Sequence, residues 1–283
     1  MDMMKVLHPG IYTSVQDKGR FGFAKMGIPL AGSLDAFSAA IGNTLLMNHK
    51  SDALIEVTFG LAKFEFTSDT FISITGADFC PKLNDDFLEM ETVYEVKNGA
   101  ILSFGKRNYG ARTYIAVQGG IQSTAVLKSK SFSNQITSKF RLEKGDLLPI
   151  MPQKELDNRK VFKMEFFKEH FISKEIECFP GPEFDLLTDV QKEQLLETFT
   201  VSEDNNRVGY RLHEVLENEL EPILTSAVLP GTVQLTPSGK LIILMRDCQV
   251  TGGYPRILQL SDYAISRLSQ KVAGDQVKFE LMN

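Results

Sequence analysis

The chain has 283 residues, 43% of them hydrophobic, and a formal net charge of −5 from 31 basic and 36 acidic side chains. That length allows one large β-rich domain or two ordinary ones, and the composition excludes disordered and collagen-like classes. A net acidic chain without a basic tract lacks the electrostatic footprint for nucleic acid or an anionic membrane, so neither is expected as a partner.

From the N-terminus, MDMMKVLHPGIY carries no apolar core before Pro9, and the aliphatic run Leu241 to Met245 is far short of a bilayer span, so a cytoplasmic protein is expected. Residues 33–46 (SLDAFSAAIGNTLL) predict a helix with Ser33 as N-cap and Asp35 in its first turn. Strands follow at AKFEF, TFISITG, TVYEVKNGAILSFG and RTYIAVQGG, each bounded by Gly, Asn or Asp. A polar stretch at 151–163 (MPQKELDNRKVFK) predicts a linker, giving domains at 1–155 and 164–283 with exchange of strands between them allowed. The second half reads as a helix at 185–199, strands TVQL and KLIILM, a helix at 261–270 and a closing strand DQVKFELM. The fold class is mainly β with a few short helices.

The two halves share short patterns in the same order. PGIY at Pro9 resembles PGPEF at Pro180, and D-x-x-R-x-G-aromatic occurs at Asp17 to Phe23 and again at Asp204 to Tyr210. VTFG at Val57 resembles VTGG at Val250, and KGD at Lys144 resembles AGD at Ala273. A duplicated β-barrel-like module, its first copy enlarged, explains that shared order, and clefts between modules are favoured ligand sites.

Three scattered cysteines, Cys80, Cys178 and Cys248, read as packing thiols. The histidines His8, His49, His170 and His213 show no ligand spacing, so no metal site is expected. The glycines of SVQDKGRFGFAKMGIPLAGSLD are not followed by Lys-Ser or Lys-Thr, which excludes a phosphate-cradling P-loop there. Ser238-Gly239-Lys240 lacks the following hydroxyl residue and reads as a hairpin turn. Asp17 with Arg20, and Asp204 with Arg207, read as turn-stabilising pairs in preference to substrate contacts.

Three clusters are candidates for substrate binding. The first is Pro29, Gly32, Ser33 and Asp35, where free amides at a helix start can hold a carboxylate or carbonyl oxygen. The second is Asp247, Gln249, Thr251, Gly252, Gly253 and Tyr254, where paired glycines permit close backbone approach beside polar side chains and an aromatic surface. The third is Arg112, Gly119 and Gly120, followed by Ser129 and Lys130. No Ser-His-Asp arrangement can be assembled, and the catalytic residue is left open.

The segments PGIYTSVQDKGRFGF, GIPLAGSLD, LLMNHKSDALIEVT, RTYIAVQGGI, RVGYRL, PGTVQLTPSGKLIILMRDCQVTGGYP and AGDQVKFE together resemble the biotin-dependent carboxyltransferase or allophanate hydrolase subunit 2 family, in particular the branch formed by the C subunits of 5-oxoprolinases. The resemblance implies two related cyclophilin-like β-barrel subdomains. It also implies work with a kinase-inhibitor-like B subunit and with an A subunit in ATP-dependent cleavage of 5-oxoproline to glutamate. ATP with Mg would be shared with or bound by a partner, the lactam oxygen being phosphorylated before ring opening. Under this reading Lys130 or Arg112 would hold a carboxylate or phosphate charge, and Gln249 and Thr251 would orient the lactam.

The family commonly shows Gly-Ser-Arg-Ser-Thr where this chain has Lys128-Ser129-Lys130-Ser131-Phe132, so a planar guanidinium is replaced by an ammonium. Two alternatives stand beside the oxoprolinase reading. One is carboxyl transfer from carboxybiotin, with the biotin on another carrier since no attachment sequence is present. The other is a non-catalytic antagonist that binds the kinase-inhibitor-like B subunit.

Overall fold

In Ala62–Phe66 the side chains of Ala62, Phe64 and Phe66 are buried while Lys63 is exposed, the period-two pattern of a strand with one face on a core. Patterns of this kind build most of the chain. The computed structural model describes residues 2–134, 136–151 and 168–282. They group into two compact units, Met1–Arg20 with Ala31–Phe171 and Phe21–Leu30 with Ile172–Asn283. Apart from Met151, the linker expected at 151–163 lies outside the described residues.

The first unit contains β1 (Met3–Pro9), β2 (Tyr12–Gln16), β3 (Leu54–Thr58), β4 (Ala62–Phe66), β5 (Thr70–Asp78), β6 (Lys82–Leu83), β7 (Asp86–Phe87), β8 (Thr92–Val96), β9 (Ile101–Ser103), β10 (Tyr109–Val117) and β11 (Leu147–Pro149). One sheet runs β11-β1-β4-β9-β6-β7 and the other β2-β3-β10-β5-β8. Val6, Phe64 and Leu102 of the first sheet and Val57, Ile74 and Ile115 of the second share one buried cluster, so both sheets close on the same core. β10 is paired on both sides and buried from Gly110 to Val117, as a central strand must be.

Helix α1 (Ala36–Leu45) lies on the second sheet, where the hydroxyls of Ser73 and Thr75 donate to the carbonyls of Gly42 (2.7 Å) and Ser38 (2.8 Å). The expected N-cap is corrected: Asp35, not Ser33, caps this helix, its Oδ1 accepting from the Ser38 amide at 2.9 Å. The reason is the preceding turn. Ala31 (φ 56°) and Gly32 (φ 93°) are left-handed, and they swing the Ser33 amide away from the helix, onto the Asp17 carbonyl at 3.0 Å. Helix α2 spans Lys168–Ile172.

The second unit contains β12 (Glu175–Pro180), β13 (Thr198–Asn205), β14 (Gly209–Val215), β15 (Ser226–Ala227), β16 (Thr232–Leu235), β17 (Lys240–Leu244), β18 (Thr251–Gly252), β19 (Arg256–Leu260) and β20 (Gln276–Leu281). Seven of these close a barrel in the order β12-β19-β16-β17-β14-β13-β20, while β15 and β18 form a separate two-stranded ribbon. Val201, Tyr210, Val233, Ile243, Leu258 and Phe279 are buried in this unit. Thr188 caps α3 (Asp189–Leu195) through a capping box with Gln191, and Ser261 caps α4 (Asp262–Leu268). The helix expected at 185–199 stops at Leu195, because the β-branched run Thr198 to Val201 enters the barrel and buries Phe199 and Val201.

One of the repeated patterns is the same turn in both units. Gly145 and Gly274 have φ of 93° and 87°, which glycine adopts without a Cβ penalty. In each, the aspartate that follows accepts a backbone N–H three residues back: Glu143 to Asp146 and Val272 to Asp275, both at 2.9 Å. The fold is mainly β with few helices, as expected. Cys178 and Cys248 are buried, and burial pushes both thiols up to about 12, the behaviour of packing residues.

Candidate functional site

Within the first unit the Asp17 loop is a bracket. Its carboxylate accepts from the Gly19 amide (2.8 Å), the Lys130 amide (2.6 Å), and the hydroxyls of Ser129 (2.7 Å) and Ser131 (2.6 Å). Arg20, 2% exposed, donates through Nη2 to the Ser131 carbonyl. Asp17 and Arg20 thus converge on the Ser129-Lys130-Ser131 segment more than a hundred residues away, while the Asp17 carbonyl holds Ser33. The same bracket reaches the Gly119-Gly120 turn: Lys130 Nζ donates to the Ile121 carbonyl (2.9 Å) and Gln122 Oε1 (3.3 Å), and Gln122 Nε2 donates to the carbonyls of Gly119 (2.7 Å) and Gly120 (2.9 Å).

Asp17→Asn exchanges an acceptor-only group for one with an N–H₂ facing these donors, and is expected to lower stability by about 1–3 kcal/mol. Chemical denaturation measures this. A loss below about 0.5 kcal/mol, the range of ordinary surface changes, would mean that the four donors find other acceptors.

Asp35 belongs to a second, fully buried network. Its Oδ2 meets His170 Nε2 at 2.8 Å and the Ser38 hydroxyl at 2.6 Å, and its amide donates to Tyr114 Oη at 2.8 Å. Tyr114 Oη donates in turn to Glu56 Oε2 at 2.8 Å, which also accepts from the Leu34 amide at 2.9 Å. Arg112 lies 3.9 Å from Glu56 Oε1, and its side chain is buried. Burial, together with the Glu56 and Asp35 carboxylates, pushes the Tyr114 hydroxyl well above its ordinary range, so it stays a donor.

In the second unit the expected partnership of Asp204 with Arg207 is corrected. Arg207 is held bidentately by Asp247, Nε to Oδ2 at 2.8 Å and Nη2 to Oδ1 at 3.0 Å, whereas Asp204 pairs with Arg211 at 2.9 Å. Asp247 wins because its own amide bonds the Arg207 carbonyl at 2.9 Å, which fixes the two backbones side by side. Beyond Asp247 the chain forms an exposed strip: Gln249, Thr251 and Tyr254 face solvent, and β18 pairs with β15. Gly252 is required by close approach, since a Cβ there would sit 2.5 Å from Nε2 of the buried Gln234. Pro29 lies in the segment grouped with this unit.

Among the described residues no three His, Cys, Asp or Glu gather as metal ligands do. Ser238 and Gly239 form a turn between β16 and β17, with the Gly239 amide on the Thr236 carbonyl at 2.9 Å. No described helix is long and apolar enough to cross a membrane.

The family model described as "Carboxyltransferase domain, subdomain A and B" matches residues 26–281. The chain belongs to this carboxyltransferase domain family. It is 32% identical over 284 residues to the C subunit of 5-oxoprolinase from Escherichia coli (strain K12), covering 98% of this chain and 90% of that relative. The crystal structure of Kluyveromyces lactis urea carboxylase matches 99% of this chain with a TM-score of 0.88 at 25% identity, and that of TTHA0988 matches 99% with a TM-score of 0.84 at 26% identity. The chain spans 27% and 55% of those two chains, respectively.

Several polar groups of this carboxyltransferase domain escape sequence reasoning. His170 stands 135 positions from Asp35, with no spacing to mark it, and Tyr114 is read as one more aromatic strand residue. Glu91 is the other. It is 7% exposed, and burial, followed by the nearby charge of Asp78, raises its pKa to about 7. It lies at the N-terminal edge of β8 with a left-handed φ of 53°.

Proposed function

We propose that this carboxyltransferase domain is the C subunit of an ATP-dependent 5-oxoprolinase, which opens 5-oxo-L-proline to L-glutamate together with its A and B subunits. The observation that carries this reading is the likeness to a 5-oxoprolinase C subunit along almost the whole of both chains. Lactam resonance makes direct attack by water slow, which is why the reaction calls for coupling to ATP. The nucleotide, with Mg, is assigned to a partner subunit or to a site shared with one.

This chain's own contribution is placed on the exposed strip of the second unit. Gln249 and Thr251 each offer a donor and an acceptor, the complement of a lactam with one C=O and one N–H. Lys130 has two acceptors within its own turn, so it serves that turn first.

This chain, purified and mixed with the A and B subunits, is expected to release glutamate from 5-oxoproline with ATP, and no product above the mixture lacking this chain would reject the reading. Gln249→Ala is expected to lower the rate at least tenfold with an unchanged melting temperature, roughly the effect of removing one oriented hydrogen bond to the substrate. An unchanged rate would remove Gln249 from the site.

The match to urea carboxylase favours a second reading, carboxyl transfer from carboxybiotin on a separate carrier. Transfer of labelled carboxylate from a carboxylated carrier, with no glutamate from 5-oxoproline, would replace the first reading by this one. Binding to the kinase-inhibitor-like B subunit without either activity would instead support a non-catalytic antagonist.

A further inference from the structure

Phe59, Gly60 and Leu61, which connect β3 to β4, stand consecutively in the left-handed region, with φ of 59°, 69° and 61°. Glycine adopts that region freely, whereas the two large side chains hold it at a cost in backbone strain. Both are nevertheless exposed, Leu61 by 53%. A Cβ on Gly10 would run into the Gly60 carbonyl, which sets the exposed Ile11 beside this turn. The Gly105 carbonyl lies 3.1 Å from the Cβ position of Gly60, which brings in the exposed Lys106 and Arg107. Lys63, also exposed, pairs with His8 across β4 and β1. Residues 8–12, 59–63 and 105–108 contain no Asp or Glu. Asp78, tied to them through Asn108, is taken up by that Nδ2 and by the Cys80 amide, both at 2.7 Å. The first unit of this acidic chain thus carries an apolar patch with a basic rim, built on strained backbone of the kind kept at working surfaces.

The complement of that patch lies in the second unit. Residues 217–229 carry Glu217, Glu219 and Glu221, all exposed, and no Lys, Arg or His. Leu224 is 92% exposed, and Leu229 is exposed as well. The segment is held in place by its backbone. The Ile223 amide donates to the Gly253 carbonyl at 2.9 Å, the Val228 amide to the Val250 carbonyl at 3.1 Å, and Arg256 Nη1 to the Ala227 carbonyl at 2.9 Å. A leucine is therefore presented to water by a fixed segment whose charge is entirely negative.

We propose that a second copy of this chain docks its 217–229 segment on the patch of Ile11, Phe59 and Leu61, Leu224 covering the apolar side chains and the glutamates facing Lys63, Lys106 and Arg107. Opposite charge brings the two surfaces together, and burial of leucine against Phe59 and Leu61 supplies affinity. Patch against patch, or segment against segment, would set like charges face to face, so a symmetric pairing through either surface is disfavoured. Because the two surfaces differ, the contact is head-to-tail and can repeat from copy to copy. This docking does not depend on the oxoprolinase reading and fails or succeeds independently of it.

Sedimentation equilibrium of the full chain over a rising concentration series, at low and at high salt, tests the contact. The expected result is a mass that climbs above the 31.7 kDa of one chain and falls back as salt screens the rim. Leu224→Glu and Leu61→Asp, both at exposed positions and the second tolerant of left-handed backbone, are each expected to weaken association at least tenfold. Mixed together, they are expected to form a dimer that neither forms alone, since each supplies the surface that the other has lost. A monomer at every concentration, unchanged association in Leu224→Glu, or no dimer in the mixture would each overturn the proposal. Binding of the B subunit that is lost in Leu224→Glu, with this chain alone monomeric, would assign the segment to that partner and overturn it too. Lys106→Glu, at an exposed position of the rim, takes the place of Leu61→Asp if that variant does not fold.

Discussion

Replacing Asp35 by alanine is expected to lower the unfolding free energy of this carboxyltransferase domain by about 3–5 kcal/mol, the usual consequence of removing one partner from a buried charged network. Asp35 is fully buried, and three donors converge on its carboxylate: the Ser38 amide, the Ser38 hydroxyl and His170 Nε2. Alanine leaves all three facing an apolar gap and also deletes the N-cap of α1, itself worth about 1 kcal/mol. Asp35→Asn keeps one acceptor oxygen for the cap and is expected to lose less. Urea denaturation at constant slope measures both. Losses below about 1 kcal/mol for the alanine variant would show that the network relaxes or that water enters it.

The pH dependence of stability provides the second large effect. Glu91 has its pKa raised in the folded chain to about 7 from an ordinary 4.5, first by burial and then by the charge of Asp78. Between those two values the folded state binds a proton that the unfolded state has released. Stability therefore falls as pH rises through this window, and the loss is complete once pH exceeds about 7. The shift corresponds to a loss on the order of 3 kcal/mol. Glu91→Gln, uncharged at every pH, is expected to remove this slope between pH 5 and 7.5 and to be more stable than the parent at pH 8. Parallel slopes for parent and variant would show that Glu91 titrates normally in the fold.

Much of the fold is legible because strands announce themselves locally. Ala62–Phe66 and Thr232–Leu235 sit where their alternation or β-branched content places them, and Ser261 caps α4 as its side chain suggests. The third strand is harder. Leu54–Thr58 is buried at every position, Glu56 included, so no alternation marks it and a charged residue interrupts its apolar run. The first helix is readable, but its start is not: whether Ser33 or Asp35 caps it depends on left-handed backbone at Ala31 and Gly32, after which the Ser33 amide bonds the distant Asp17 carbonyl.

The candidate site divides the same way. Asp17 and Arg20 stand out in the sequence as a turn pair, yet their principal contacts are with Ser129 to Ser131. Arg112 looks like an available cation, and the fold buries it beside Glu56 on a central strand. Arg207 finds its carboxylate at Asp247, forty positions away, instead of at Asp204 three positions away.

Residue type and short-range spacing act through local sterics and burial, and they suffice for the class of the fold, most of its strand segments and the polar and glycine-rich segments that recur in it. Which of those polar groups meet is set by the folded arrangement. Asp35 with His170 and Asp17 with Ser129 both depend on long-range pairing. A hydrogen bond requires atoms within about 3 Å, and separation along the chain says nothing about that distance until the sheets have closed.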